Sequence, residues 1–163
     1  MMNNPSLYKE LLHKAVQLLA QRNHSAYELK NKLISFCQKK YSGEEDDGDT
    51  IYPVINQVID ECIAKKWLNE NIYIEQYIAM RSRKGYGNNR IILELKQRGV
   101  TNSAIMNVMS ASNIDWIEIG IKQVTKKFPL IEHNDLKQKS KIFQFLSYKG
   151  FSQDQIQLIY SAI

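Results

Sequence analysis

Apolar residues recur along this chain at steps of three and four, the period of one helix face. Leu7, Leu11, Leu12, Ala15, Leu18 and Leu19 predict a helix over 7–22. Ser25, with Glu28 three residues on, opens a second helix in a capping-box pattern. Leu29, Leu33, Phe36 and Cys37 carry its inner face. Residues 41–50 are polar and acidic with two glycines, and read as a loop. Pro53 suits the first turn of a third helix, in which Ile55, Val58, Ile59, Cys62 and Ile63 keep helical register up to Lys65 and Lys66. A fourth helix over 71–84 breaks at Gly85, Tyr86 and Gly87. A fifth over 88–98 stops at Gly99, and Thr101 caps a sixth. Asp115 opens a seventh, which Pro129 ends. The eighth covers 135–149 and stops at Gly150, and Ser152 caps a ninth.

Part of this pattern repeats at a spacing of 51. Ile91, Leu95, Arg98, Gly99, Val100, Thr101 and Ile105 match Ile142, Leu146, Lys149, Gly150, Phe151, Ser152 and Ile156. Val108 and Met109 likewise match Ile159 and Tyr160. The shared phrase is a helix, a cation, glycine, an apolar residue, a hydroxyl cap and another helix. Ser25, Leu29 and Leu33 match Gly87, Ile91 and Leu95 at a spacing of 62, and the acidic loop accounts for the extra length. The chain is therefore read as all-α, with three tandem three-helix repeats over 1–68, 69–112 and 113–163. Such repeats stack on their neighbours, which predicts an elongated, curved body. A compact nine-helix bundle is the alternative. Trp67-Leu68 and Trp116-Ile117 fall at the junctions and are expected to anchor the packing. Seven glycines and three prolines are too few for the turns of a β-sandwich or barrel.

Charge changes the picture. The chain has 22 lysines and arginines against 17 acidic residues, a formal net charge of +5. Five of the acids are Glu44, Glu45, Asp46, Asp47 and Asp49, so the remainder is more basic than the total suggests. Arg81, Arg83, Lys84, Arg90, Lys96 and Arg98 stand against Glu94 alone, and Arg90 is one helical turn from that acid. Lys122, Lys126, Lys127, Lys137, Lys139, Lys141 and Lys149 stand against Glu132 and Asp135. Two basic segments in corresponding repeats predict one positive face suited to phosphates or an acidic protein, with Tyr86 as an aromatic plate beside it.

Other chemistry is excluded by spacing. Gly85-Tyr86-Gly87-Asn88-Asn89-Arg90 starts like a phosphate loop, but has no third glycine, no preceding strand and no lysine–hydroxyl pair. His13, His24 and His133 are scattered, so no metal site is expected. The acidic loop lacks the alternating oxygen ligands of an EF-hand. No nucleophile elbow or placed carboxylate pair points to an enzyme, and no cofactor is expected. Cys37 and Cys62 lie on apolar stripes, which fits a reduced, cytoplasmic compartment. No signal peptide and no membrane span is read.

Arg81-Ser82-Arg83-Lys84-Gly85-Tyr86-Gly87, followed by Arg90-Ile91, Glu94-Leu95 and Arg98-Gly99-Val100, resembles the central signature of the RecX family of regulatory proteins. His24-Ser25-Ala26-Tyr27-Glu28-Leu29 with Lys32-Leu33 resembles the family's first unit, and Trp67-Leu68-Asn69 its run before the second. Lys126-Lys127-Phe128, Phe145-Leu146 and Lys149-Gly150-Phe151-Ser152 resemble its third. The likeness spans about residues 10 to 160. It implies three three-helix repeats and a non-enzymatic modulator of the RecA recombinase, and the chain is expected to be a monomer. Such a protein lodges in the groove of the RecA–DNA filament and inhibits growth, ATP hydrolysis, strand exchange and co-protease activity. The acidic loop is longer than the family usually carries. The expected contact set is Arg81, Arg83, Lys84, Tyr86, Arg90 and Arg98, with Lys122, Lys126, Lys127 and Lys149 secondary. Single- or double-stranded DNA is a further expected partner through its phosphates. The rival reading is a helix-turn-helix-like DNA-binding protein acting without RecA, with Asn89, Arg90 and Gln97 reading bases.

Overall fold

The computed structural model describes residues 5–41 and 48–163. Among the described residues there are nine α-helices and no strand. They are α1 (Pro5–Gln21), α2 (Ala26–Lys40), α3 (Gly48–Ala64), α4 (Glu70–Arg83), α5 (Asn88–Gln97), α6 (Asn102–Ala111), α7 (Trp116–Lys127), α8 (Leu136–Lys149) and α9 (Gln153–Ala162). The acidic run at Glu44, Glu45, Asp46 and Asp47 lies outside the described residues.

The chain forms two compact units. One holds α1, α2, α3, the chain through Tyr73, and the short segment Arg98–Val100. The other holds Ile74–Gln97 and Thr101–Ile163. In the first, α3 packs on both α1 and α2. Leu11, Leu29, Leu33, Ile55, Val58 and Cys62 form the centre of its core. In the second, α7 packs on α9 and α8, around Val124, Ile142, Leu146, Phe151, Ile156 and Ile159.

The third helix departs from expectation at both ends. It starts at Gly48, inside the stretch read as loop, so Pro53 lies in its second turn rather than its first. The missing N–H there removes one rung of the hydrogen-bond ladder. Ile51, four residues before Ile55, packs on the core and extends the apolar stripe back past the proline. At the other end Ile63 is 48% exposed, because the stripe ends on Cys62. Trp67 is also exposed, at 45%, and Leu68 is the buried anchor of that pair. Trp116 and Ile117 pack on the core of α7, α8 and α9.

The spacing of 51 holds in three dimensions. Ile91 and Ile142, Leu95 and Leu146, Val100 and Phe151, and Ile105 and Ile156 are all buried. Gly99 and Gly150 both adopt left-handed backbone, with φ of 79° and 103°. Thr101 and Ser152 cap α6 and α9 by accepting from Ala104 N and Gln155 N. The match slips only at the end. Helix α6 buries Met109, four residues past Ile105, whereas α9 buries Ile159, three past Ile156. In the second helix the capping box is half made. Ser25 accepts from Glu28 N, but the Glu28 carboxylate turns to Arg22.

Candidate functional site

The site is built at the end of α4. Gly85 takes left-handed backbone (φ 91°) and ends the helix by donating its N–H to Ser82 O at 2.9 Å, while Tyr86 N–H donates to Arg81 O at 3.2 Å. This pair of bonds closes a helix C-terminus in a fixed direction. It sets the Tyr86 ring among three cations. Arg81 Cζ lies 3.9 Å from the ring centroid, Arg90 Cζ 4.4 Å and Lys149 Nζ 4.5 Å. Each distance is within the range of cation–aromatic attraction.

Glu94 balances part of this charge. Its carboxylate accepts Arg81 Nε at 2.9 Å and Arg81 Nη2 at 2.7 Å, a two-pronged pair. It also accepts Arg90 Nε at 3.2 Å and the Tyr77 hydroxyl at 2.7 Å. Burial pushes the Glu94 carboxyl up, but the hydrogen bonds from Arg81, Tyr77 and Arg90 outweigh it and hold its pKa below 4.5. The acid stays ionised at neutral pH, and both guanidinium groups are held in place.

Lys149 arrives through backbone pairing. Gly87 N–H donates to Lys149 O at 2.8 Å, and Asn89 N–H donates to Gly150 O at 2.9 Å. A Cβ on Gly87 would stand 2.5 Å from the Gly150 carbonyl, so the two corners meet only because position 87 has no side chain. Arg90 adds a bond from Nη1 to Tyr148 O at 3.3 Å, and its Cζ lies 5.0 Å from the Tyr148 ring. Lys149 also faces the Phe145 ring at 5.7 Å, and Lys127 faces it at 4.6 Å. Cations and rings therefore alternate: Tyr148, Arg90, Tyr86, Lys149, Phe145, Lys127.

The expected contact residues fall into distinct environments. Arg81, Tyr86, Arg90, Lys149 and Lys127 are brought together by that alternation. Arg83 and Lys84 are exposed beside the corner, with Arg83 Nε donating to Ala79 O at 3.0 Å. Lys122 and Lys126 are exposed on α7, and Lys122 pairs with Glu118 at 3.1 Å. Arg98 belongs to the first unit. Its Nη1 donates to the Tyr73 hydroxyl at 3.4 Å, and its carbonyl accepts from Ser25 Oγ at 3.1 Å. Tyr148, 71% exposed, and the fourfold use of Glu94 escape sequence reasoning. The approach of Arg81 to Glu94, thirteen residues on, is tertiary and leaves no periodic signal.

Among the described residues no group of three or more His, Cys, Asp or Glu side chains could hold a metal ion. No described helix is long and apolar enough to cross a membrane.

Residues 69–109 match the family model for the second three-helix domain of RecX, and residues 114–159 match that for the third. The chain is 39% identical over 161 residues to the regulatory protein RecX of Yersinia enterocolitica, covering 93% of this chain and 96% of that one. It is 37% identical over 161 residues to the regulatory protein RecX of Serratia proteamaculans, with the same coverage. Its fold is similar to the crystal structure of RecX from Lactobacillus salivarius, with a TM-score of 0.75 at 21% identity over 97% of both chains. The all-helical fold of the described residues agrees with these matches, and the chain belongs to the RecX family of regulatory proteins.

Proposed function

We propose that the chain binds the RecA recombinase filament and inhibits its growth, ATP hydrolysis, strand exchange and co-protease activity. It acts as a cytoplasmic, monomeric, non-enzymatic regulator built of repeats over 1–68, 69–112 and 113–163. The observation that carries this reading is the ordered cationic corner around Tyr86. Three cations on one ring, with Glu94 as their acid, keep a surplus of positive charge in a fixed place. Fixed charge favours an acidic protein surface or a phosphate backbone, because no ordering entropy is lost on binding.

Roles divide within the corner. Arg81 and Arg90 hold the Tyr86 ring through Glu94. Contact with the filament falls on Arg83, Lys84 and Lys149, extended by Lys126 and Lys127, with Lys122 supporting, while Arg98 is a separate contact on the first unit. DNA phosphates, single- or double-stranded, are met by the same lysines and arginines. The rival reading uses α5 as a recognition helix. It needs Arg90 free for bases, whereas that side chain bonds Glu94 and Tyr148 O, which favours the RecA reading.

The test is inhibition of RecA's DNA-dependent ATPase by an Arg83→Glu/Lys84→Glu variant. Both residues are exposed at the end of α4, so the chain is expected to stay folded, with a melting temperature lowered only by the few degrees that acids at a helix C-terminus cost. The concentration needed for inhibition is expected to rise about tenfold or more. Full inhibition by the variant removes the site, and sequence-specific duplex binding without RecA supports the rival.

A further inference from the structure

The same docking of corners occurs once in each unit. In the first, the residue that opens α2, Ser25, donates from Oγ to Arg98 O, beside Gly99. In the second, the residue that opens α5, Gly87, donates to Lys149 O, beside Gly150. Ser25 and Gly87 are repeat equivalents, and so are Arg98 and Lys149. In both cases the corner that opens the middle helix is covered. His24, Ser25, Gly85 and Gly87 are all buried.

The third repeat breaks this rule. Its middle helix, α8, opens at Asp135, three residues ahead of Gln138, the repeat equivalent of Gly87, and every residue of this earlier corner from Glu132 to Lys137 is exposed. Leu130 and Leu136 are 72% and 77% exposed, the two highest values among the large apolar side chains of the described residues. The link that bears them is nevertheless ordered. Phe128 and Ile131 point into the core on either side of Leu130. Gln138 Nε2 donates to Leu130 O at 2.8 Å, and Gln138 Oε1 accepts from Glu132 N at 2.8 Å. Asp135 caps α8 through Lys137 N and Gln138 N. A terminal repeat normally ends in a polar face. Single exposed leucines mean little, but two on a rigid corner that is covered in the sister repeats do not fit that pattern.

We infer that the α7–α8 corner is a protein-docking surface, with Leu130 and Leu136 as its apolar anchors and an acidic helical protein surface as its occupant. This rests on the proposed function, in which that protein is RecA. The sister corners are covered by a helix–glycine–helix turn, which sets the shape. Lys126, Lys127, Lys137, Lys139 and Lys141 surround the link in sequence against Glu132 and Asp135, which sets the charge. A second copy of this chain, at net +5, is repelled rather than attracted. Nucleic acid offers phosphates to the lysines but no surface that buries two leucines on this corner. The partner would therefore touch the chain at two places: a polar contact around Tyr86 and an apolar one here.

The experiment compares wild type with Leu130→Ser/Leu136→Ser in co-sedimentation with RecA–single-strand filaments, and in binding to single-stranded DNA alone. Exposed side chains leave the fold intact, checked by circular dichroism and melting. The expected result is filament binding weakened about tenfold, with DNA binding unchanged. Lys137→Glu/Lys141→Glu, which removes charge and no apolar area, is expected to weaken filament binding in the same direction. Equal binding of the leucine variant to the filament overturns the inference and leaves the proposed function standing. So does an equal loss on DNA alone, or a concentration-dependent dimer of wild type that the leucine variant abolishes in sedimentation velocity. A wild-type chain that ignores the filament removes both.

Discussion

Glu94 and Arg81 form a two-pronged ion pair, with Nε at 2.9 Å and Nη2 at 2.7 Å from the carboxylate oxygens. Both side chains are largely shielded from water, so the pair is not a surface ornament. It ties α4 to α5 across the glycine corner and fixes the ring on which the other cations gather.

Replacing Glu94 by Gln should therefore damage the corner more than removing any one surface lysine. The change leaves two guanidinium groups without their counter-ion. A stability loss of about 2 kcal/mol is expected, by analogy with other charged hydrogen bonds that lose one partner. For a domain of this size that lowers the melting temperature by about 4–8 °C. Glu94→Asp, which keeps the charge, should recover part of it. A melting curve unchanged in Glu94→Gln would mean that the network contributes nothing to the fold.

Gly87→Ala tests the docking of corners. A Cβ at that position meets the carbonyl carbon and oxygen of Gly150 at 2.5 Å, and backbone cannot step aside as a side chain can. The two bonds to Lys149 O and Gly150 O must then lengthen. A loss of about 2–4 kcal/mol is expected. Amide exchange at Asn89 should accelerate more than exchange at Ile156, which lies in the separate turn after Ser152. Equal acceleration at both would point to global loosening instead of a broken dock.

The helices and repeats were legible because burial repeats at regular intervals. Ile91 with Leu95 and Ile142 with Leu146 announce the same face twice. Glycine followed by an apolar residue and a hydroxyl announces the same corner. What was not legible depends on contacts across the repeats. The early start of α3 needs Ile51 to find a core distant in sequence, which local rules favouring Pro53 at a first turn do not contain. The pairing of Arg90 with Glu94 is legible from their one-turn spacing, whereas Arg81 reads as free positive charge and yet takes the same carboxylate. The exposure of Leu130 and Leu136 depends on what is absent beside α8, which no periodic pattern records.

Lys66 offers a test at the end of α3. Its N–H donates to Ile63 O and that of Trp67 to Cys62 O, the same closure that Gly85 makes after α4. Here the left-handed position (φ 60°) is held by a lysine. A side chain in that region costs about 1 kcal/mol relative to glycine. Lys66→Gly should raise stability by up to that amount in urea denaturation. A decrease would mean that the lysine side chain makes up for the backbone cost.

His24 sets the acid limit of the first unit. It is 1% exposed between α1 and α2. Lys32 Nζ donates to Nε2 at 2.9 Å, so Nε2 is an acceptor, and Nδ1–H donates to Arg22 O at 2.9 Å. The ring is thus neutral with its proton on Nδ1. Burial first, and the charges of Lys32 and Arg22 after it, hold its pKa below the ordinary 6.5, against the pull of the Arg22 carbonyl and Glu28. Because the unfolded chain takes up this proton more readily, stability is complete above pH 6.5 and falls as pH drops through the folded value. Burial pushes the Glu28 carboxyl up, but the bond from Arg22 together with the positive charges around it brings the pKa below 4.5, and this adds a second loss at lower pH in the same direction. Urea unfolding between pH 7.5 and 5 should show the first loss in wild type. Replacing His24 by Gln should flatten that window, while the lower one remains. A wild-type profile already flat from pH 7.5 to 5 would mean that the ring takes up its proton as readily in the folded chain as in the unfolded one, so that burial and Lys32 do not hold it neutral.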